Sequence, residues 1–350
     1  MAENTGMASF ERKYFVQQYM QESYHHGGAG FVDAEKILLS QGFQPIFFPH
    51  HYGFSLRAKF GRLLFFFKTL FAIKRNSVVI FLFPVYARIN LLLIKWLSKK
   101  NVKIVCYIAD IDGIKDGDQK LLRREINFFK GFKFFIVHNE KMRDWLHKNV
   151  PGDRHAVMIR FFDFLAEPFQ GQRHLSSDVA FAGNLSKSPF LEGIHLLSKT
   201  EPFLHFDLYG PGQSNDMISQ DNVTWHGIEE PHKLPVKLEG SFGLVWEGDS
   251  IERPSGSLGH YIEYITHHKL SLYILARLPI IVVETAASAT LIKQYKIGFT
   301  VRSLYELEGR IKAVSEADYR EMQANTGPLA NKISKGDFLK NAIDELMQFI

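Results

Sequence analysis

Short runs of β-branched and aromatic residues alternate with helical patterns of ten or more residues along the chain. This alternation is typical of βα units, in which parallel strands are joined by helices that cover the sheet. It predicts an α/β fold with doubly wound parallel sheets. Candidate strands in the first half are Phe43–Phe48, Ser77–Phe83, Val102–Ile108, Phe134–Val137 and Ala156–Arg160. Those in the second half are Val179–Ala182, His205–Tyr209, Val223–His226, Gly243–Trp246, Ile280–Val283 and Gly298–Val301.

The length of the chain, 350 residues, favours two such domains over one α/β core. Phe164–Ser177 contains Pro, Gly, Gln and Ser without apolar periodicity, as linkers do. We predict a Rossmann-like domain over residues 1–165, a linker over 166–177 and a second Rossmann-like domain over 178–335. A last helical pattern at 336–350 is expected to pack back toward the first domain. Helices of the first half are predicted at Val32–Ser40, Leu56–Lys74, Arg88–Lys99, Gln119–Phe129 and Glu140–Lys148.

Composition and charge exclude several classes of protein. A chain that is 46% hydrophobic and 23% charged is typical of a globular protein and not of a disordered one. A formal charge of +5 suits an anionic ligand or bilayer but is too weak to indicate nucleic acid. The single cysteine, Cys106, lies in an apolar run, so we expect a buried thiol and no disulfide. Without a signal-like start or a spanning apolar segment, the sequence predicts a cytoplasmic protein.

Glycines and polar side chains follow several strands of the second half. Ligands bind at the carboxyl ends of strands in open α/β sheets, where glycines allow close approach of the backbone. A helix N-terminus there would cradle a phosphate, and carboxylates would accept hydrogen bonds from sugar hydroxyls. Tight turns and solvated loop acids are the alternative. The residues are Gly183, Asn184 and Lys187 after the first strand, Tyr209 and Gly210 at the end of the second, and Glu247 and Asp249 beyond the fourth.

Three basic residues, His267, His268 and Lys269, stand at the start of a predicted apolar helix. Lys269 and Tyr273 are one turn apart and share a helix face. A cation at the positive end of a helix is unfavourable by a few tenths of a kcal/mol, and a bound anion would remove that conflict. A diphosphate is the candidate ligand, and a solvated surface lysine is the alternative.

These segments, taken in order, resemble those of one enzyme group. GSFGLVWEGDS, HHKLSLYILARLPIIV and IGFTVRSLYEL resemble segments of bacterial GT-B glycosyltransferases, including glucosyltransferases of adhesin glycosylation and β-1,6-galactofuranosyltransferases. The resemblance covers roughly residues 178–307. It implies a GT-B fold, a nucleoside-diphosphate sugar as donor, no metal or other cofactor, and a carboxyl-terminal helix that returns to the first domain.

The resemblance also implies roles for individual residues of the second half. It places Tyr209 and Gly210 near the base or ribose of the donor. Lys187 and Lys269 would lie near the diphosphate, with Tyr273 supporting that wall of the site. The other residues expected to bind the nucleotide sugar are Gly183, Asn184, Glu247, Asp249 and His268.

The first half matches the same group less closely. Tyr24–Phe31, with Gly27, Gly28 and Gly30, resembles the glycine loop that closes over the donor. After the strand Val102–Ile108, many relatives carry a His-Asp pair. Here Ala109 replaces the histidine, which leaves Asp110 as the candidate general base. Asn139 is expected on the acceptor side.

The sequence thus predicts a hexosyltransferase. It would transfer a hexose, glucose or galactofuranose in type, from a nucleoside diphosphate, UDP above all, to a hydroxyl of a saccharide or glycolipid acceptor. Inversion and independence of metal are expected. A non-catalytic GT-B-like subunit that binds glycan or protein would be expected to lose Lys187 and Lys269, which are both present. A sugar-nucleotide epimerase or dehydrogenase would need GxGxxG, and Gly27–Gly30 has the wrong spacing.

One segment of the first half predicts a further partner. Leu56–Arg75 carries six basic residues and no acid, interleaved with Phe and Leu, which is the pattern of an interfacial helix. Peripheral contact with the inner face of the membrane is one interpretation. The other is an ordinary helix whose aromatic face is buried in the first domain. No pattern indicates nucleic acid, and both a monomer and a homo-oligomer are compatible with the sequence.

Overall fold

The computed structural model describes residues 12–18, 28–49, 53–85, 88–197 and 203–350. Contacts between residues divide the chain into two units. The first unit contains the described residues up to Ile159 together with Leu339–Ile350, and the second contains Arg160–Phe338. Each unit contains one six-stranded sheet whose strand pairs are all parallel. The predicted doubly wound α/β architecture is confirmed.

The sheet of the first unit has the strand order β2-β1-β3-β4-β5-β6. Its strands are β1 Lys13–Val16, β2 Gln44–Ile46, β3 Val78–Phe83, β4 Lys103–Ile108, β5 Phe134–Val137 and β6 His155–Met158. The helices are α1 Ala29–Ser40, α2 Leu56–Ala72, α3 Arg88–Lys99, α4 Asp112–Lys115, α5 Gln119–Phe129 and α6 Glu140–Asn149. All six residues of β3 are buried, as expected for a continuous apolar run inside a parallel sheet.

The sheet of the second unit has the order β12-β11-β10-β7-β8-β9. Its strands are β7 Asp178–Ala182, β8 His205–Tyr209, β9 Val223–Trp225, β10 Phe242–Val245, β11 Ile280–Val283 and β12 Gly298–Val301. Short helices connect them: α7 Asn215–Ile218, α8 Leu234–Lys237, α9 Gly256–Tyr261, α10 His268–Leu275, α11 Ala289–Tyr295 and α12 Leu307–Lys312. Two further helices, α13 Glu316–Lys335 and α14 Asp337–Met347, follow the last strand.

Residues 166–177, predicted as a linker, are part of the second unit and pack against its other residues. The backbone N–H of Phe169 donates to the carbonyl oxygen of Leu275 at 2.8 Å. The Arg173 guanidinium donates to the carbonyl of Ala276 at 3.1 Å and lies over the Phe169 ring, 3.8 Å from its centroid. Within the first unit, the ring of Phe349 stacks on His155 at 5.8 Å between centroids.

The phenylalanines of the first unit divide between the core and the surface. A buried cluster of aromatic rings contains Phe81, Phe83, Phe129, Phe132 and Phe135. The ring centroids of Phe83 and Phe129 are 4.7 Å apart. Large exposed apolar side chains are found on α2 and α3.

The helix at Leu56–Ala72 buries only part of its aromatic surface. Phe66 is buried, whereas Phe60, Phe67 and Phe71 are exposed. No helix in the described parts of the chain has the length and apolar character needed to span a bilayer.

Candidate active site

The order of strands reverses between β7 and β10 in the second unit. From β7 the chain proceeds outward through β8 and β9, and from β10 it proceeds in the opposite direction through β11 and β12. Helices on either side of such a switch point lie on opposite faces of the sheet, which leaves a crevice at the carboxyl ends of the two central strands. The residues that follow β7 and β10 therefore border the default ligand site of this unit.

A tyrosine hydroxyl separates the two central strands at this point. The strands pair at Phe242 with Val179 and at Gly243 with Ala180. Beyond those pairs, the hydroxyl of Tyr273 accepts from the N–H of Ala182 at 3.0 Å and donates to the carbonyl of Leu244 at 3.1 Å. Tyr273 is fully buried on α10. It therefore satisfies both strands while it holds them apart beneath the crevice.

Glycine at position 243 makes room for that tyrosine. A Cβ at Gly243 would overlap the ring of Tyr273. At the rim of the crevice, a Cβ at Gly210 would overlap the carbonyl oxygen of Gly183, and Gly210 has a φ of 122°, in the region that favours glycine. The loops after β7 and β8 thus approach each other through backbone alone.

Lys269 extends from the first turn of α10 to the glycine after β7. A Cβ at Gly183 would lie 3.0 Å from the Lys269 side-chain Cε. The Nζ atom of Lys269 is 2.8 Å from Oε1 of Glu247, which follows β10, and 4.1 Å from the centroid of the Phe181 ring. Only 17% of the Lys269 side chain and 12% of the Glu247 side chain are exposed. The structure therefore brings together three of the predicted residues: Gly183, Glu247 and Lys269.

His267 belongs to the same cluster, although sequence analysis did not assign it to the site. Its Nε2 atom is 3.7 Å from Oε1 of Glu247, and its side chain is 10% exposed. The pKa of His267 is lowered to about 4, chiefly by burial; Glu247 opposes the shift and Lys269 adds to it. In the described part of the chain, the buried Nδ1 atom has no hydrogen-bond partner. A neutral imidazole is thus held beside the Lys269–Glu247 pair.

His268, which begins α10, faces aromatic side chains. Its ring centroid lies 4.9 Å from that of Phe164 and 5.7 Å from that of Phe162. The sequence HHK alone does not show whether His267 or His268 lies near Glu247. The answer depends on how the start of α10 packs against the rest of the unit.

The polar residues after β7 open a helix of the 3-10 type. Both Leu185–Lys187 and Pro189–Leu197 are 3-10 helices. The Asn184 side chain accepts from the N–H of Ser186 at 3.1 Å and caps the first of them. Lys187 and Asp249 are exposed, and no hydrogen bond or ion pair within the described ranges joins either to Lys269. Their contact with a ligand stays a prediction.

Tyr209 lies beneath the surface at the end of β8. It is 2% exposed, its ring stacks on His226 at 4.6 Å between centroids, and its hydroxyl accepts from the N–H of Glu239 at 2.8 Å. His226 also lies 2.7 Å from Oδ1 of Asp207. Asp207, His226 and Glu239 offer atoms within 4.8 Å of one another that could hold a cation.

In the first unit, Asp110 follows β4 and forms an ion pair. Its Oδ2 atom is 3.0 Å from Nζ of Lys115, which also lies 2.6 Å from Oδ1 of Asp112. These carboxylates raise the pKa of Lys115. The buried carboxylate of Glu125 accepts from the N–H groups of Asp112 and Gly113 at 3.0 and 2.8 Å. Burial nevertheless raises the pKa of Glu125 to about 7.

The remaining predicted residues of the first unit lie at helix starts. Asn139 is the N-cap of α6, and its Oδ1 accepts from the N–H of Met142 at 3.0 Å. Gly28 is the N-cap of α1, and Gly30 lies in the first turn of that helix. Tyr24–Gly27, which include the remaining glycine of the predicted loop, lie outside the described residues.

Two doubly wound parallel sheets, one in each unit, are the architecture of the GT-B class of glycosyltransferases. Residues 12–155 match the amino-terminal domain of the glucosyltransferase 3-like family, and residues 179–346 match its carboxyl-terminal domain. The chain therefore belongs to the glucosyltransferase 3-like family.

Individual relatives agree with this assignment. The β-1,6-galactofuranosyltransferase WbbI of Escherichia coli K12 is 28% identical over 79% of this chain and 81% of its own. Glucosyltransferase 3 of Streptococcus gordonii is 23% identical over 71% of this chain and 72% of its own. HepE of Anabaena, solved with UDP and with UDP and glucose, shares the fold at a TM-score of 0.62 and 12% identity. That likeness covers 97% of this chain and 100% of the solved one.

Proposed function

We propose that the protein transfers a hexose from a UDP-sugar to a hydroxyl of a saccharide or glycolipid acceptor, with inversion and without a metal ion. One observation carries the proposal: Lys269 and Glu247 meet beside Gly183 at the switch point of the second sheet. A buried cation beside a glycine suits a diphosphate, which needs positive charge and close approach of the backbone.

Lys269 and Glu247 contact different parts of the donor when it binds. Lys269 turns from Glu247 to the diphosphate and stabilises the charge that builds on it as the bond to the sugar breaks. Glu247 is then free to accept hydrogen bonds from the sugar hydroxyls. The pair also keeps both charges compensated before the donor arrives, which lowers the cost of burying them.

We assign the general base to Asp110. Asp110 follows β4, as the resemblance to the family places the base, and its Oδ2 atom lies 3.0 Å from Nζ of Lys115. The proton of the acceptor hydroxyl passes to Asp110 as the acceptor oxygen forms a bond to the anomeric carbon. The bond from that carbon to the diphosphate oxygen breaks at the same time, and UDP leaves with the electron pair. A single displacement of this kind inverts the anomeric configuration.

A panel of UDP-glucose, UDP-galactopyranose and UDP-galactofuranose tests the donor, since the relatives are named as glucosyl- and galactofuranosyltransferases. GDP- and dTDP-sugars are the controls. We expect donor hydrolysis and thermal stabilisation with UDP-sugars in the presence of EDTA, and the opposite anomeric configuration in the product by NMR. Stabilisation by GDP- or dTDP-sugars alone would overturn the assignment of UDP, and retention of configuration would overturn the single displacement.

A further inference from the structure

The helix α2 has its apolar side turned toward solvent. The residues buried against the first unit are Ala58, Phe66 and Thr69. The opposite side is apolar as well, although surface helices usually place polar side chains there. Its exposed fractions are 84% for Leu56, 62% for Phe60, 41% for Leu63, 56% for Leu64, 47% for Phe67 and 81% for Phe71.

The spacing of these residues makes one continuous stripe. They recur at intervals of three, four or seven residues, so they share one face of the helix. The same periodicity places Arg57 and Lys68 along one border of this face and Lys59 along the other. Within the described residues, no ion pair engages these three cations. We call this surface, Leu56 to Phe71 with its bordering cations, the α2 face.

The neighbouring helix α3 exposes further apolar side chains. It contacts α2, and Nζ of Lys100, just beyond α3, donates to the carbonyl of Leu70 at 2.6 Å. Leu91, Leu92 and Trp96 on α3 are 50%, 38% and 46% exposed. The exposed aromatic and aliphatic surface is therefore not confined to one helix.

The charge around the α2 face has a single sign. Residues 36–109 contain twelve lysines and arginines and no aspartate or glutamate. The formal charge of the whole chain is +5, so subtracting these twelve charges leaves −7 for the rest. The positive charge is thus concentrated in the segment that carries α2 and α3, where an anionic partner would be attracted.

We propose that the α2 face docks on the surface of an anionic lipid bilayer. Apolar side chains on one helix face enter the boundary between headgroups and acyl chains, while the bordering cations meet lipid phosphates. A bilayer satisfies both halves of the pattern at once, since it offers an apolar layer beneath an anionic one. The proposal does not depend on the identity of the donor, because lipid binding is measured without any nucleotide.

Co-sedimentation with vesicles tests the proposal. We expect the protein to bind vesicles that contain phosphatidylglycerol and not vesicles of phosphatidylcholine alone, and to be released by salt. The double variant Phe60→Ser/Phe71→Ser should lose binding. Its matched control, Ile228→Ser, changes an apolar residue that is 52% exposed in the second unit and should bind as the parent does. All three positions are exposed, so circular dichroism should show unchanged folding.

A charge pair separates electrostatic attraction from apolar contact. Arg57→Gln/Lys68→Gln should weaken partition to anionic vesicles about 25-fold, because each substitution removes one contact between a cation and a lipid phosphate, and each contact contributes about fivefold. The control Lys141→Gln/Lys293→Gln removes two exposed cations elsewhere and should change it little. The proposal would be overturned if the Arg57/Lys68 variant and the Lys141/Lys293 control lost vesicle binding equally. It would also be overturned if Phe60→Ser/Phe71→Ser bound vesicles as well as the parent does.

The oligomeric state shows whether a second copy of the chain, and not a bilayer, covers the α2 face. Light scattering after size exclusion, without lipid, should give the same mass for the parent and for Phe60→Ser/Phe71→Ser. A parent that is a dimer and a variant that is a monomer would show that the α2 face is covered by a second copy, and would overturn the bilayer proposal.

Discussion

Lys269 is the residue on which the donor assignment depends. We expect Lys269→Ala to weaken UDP binding by about 1.5–3 kcal/mol, the range for a charge-assisted contact. The variant also leaves Glu247 without its 2.8 Å partner, so part of the loss reflects an unpaired carboxylate. Isothermal titration with UDP measures the change, and Lys293→Ala, an exposed lysine of α11, is the control. Parental affinity in Lys269→Ala would move the donor site elsewhere.

His267 links the candidate site to stability at acidic pH. Its folded-state pKa of about 4 lies below the ordinary value of 6.5. As pH falls through this window, the unfolded chain takes up a proton that the folded protein does not, so the free energy of unfolding decreases. The shift corresponds to roughly 3 kcal/mol once pH falls below the folded pKa. His267 thus costs stability in acid.

The variant His267→Gln cannot take up that proton. Its free energy of unfolding should fall less than that of the parent between about pH 7 and about pH 4. Urea unfolding at several pH values measures the difference, and His260→Gln, which changes an exposed histidine of α9, should keep the parental pH dependence. Parallel curves for the parent and His267→Gln would show that burial of this imidazole does not set the dependence.

At the scale of elements, the contact of Gly243 with Tyr273 holds the crevice open. Gly243→Ala would force the Tyr273 ring away from β10 and strain its bonds to Ala182 and Leu244. We expect a loss of about 1–3 kcal/mol in stability from overpacking, with weaker UDP binding. Thermal unfolding and titration with UDP measure both effects.

Gly309→Ala is the matched control. This glycine lies in α12, and a Cβ there would meet no atom within 4 Å. Alanine is the better helix former by up to about 1 kcal/mol, so the variant should be as stable as the parent or more so. If Gly243→Ala were equally well tolerated, Tyr273 would not be fixed in place by this contact.

Sequence reasoning located elements well where their patterns were long or strongly apolar. It predicted β5, β8, β11 and β12 at their observed bounds, because each is a short run rich in β-branched and aromatic residues. It missed β1, Lys13–Val16, because only three apolar residues stand together there, between charged and polar neighbours. It predicted the start of a helix after Gly183, and Asn184 caps a helix of the 3-10 type there.

The candidate site was predictable in part. Glu247 and Lys269 were found because each is a charge beside an apolar element. The separation of β7 and β10 by Tyr273 was not predictable, because it depends on where α10 packs across the sheet. The same holds for His267, whose burial no local pattern reveals.

At the scale of the whole molecule, we predict that donor binding and transfer need no divalent metal ion. The predicted donor site relies on Lys269 for charge, so we expect UDP binding and transfer to be unchanged by EDTA. The cluster of Asp207, His226 and Glu239 makes this a sharp test, since it is a place in the described chain where a cation could bind. Activity lost with EDTA and restored by a divalent ion in the parent, but not in Asp207→Asn/Glu239→Gln, would assign a metal role to that cluster.

The hydroxyl of Tyr273 between two strands also has an evolutionary consequence. Position 243 can gain a side chain only if position 273 loses its ring, and a phenylalanine at 273 would leave a buried N–H and carbonyl unpaired. Drift at either position alone is therefore selected against. Among descendants of a common ancestor, we expect the two positions to covary: glycine with tyrosine, or a larger residue with a smaller one and a narrower crevice.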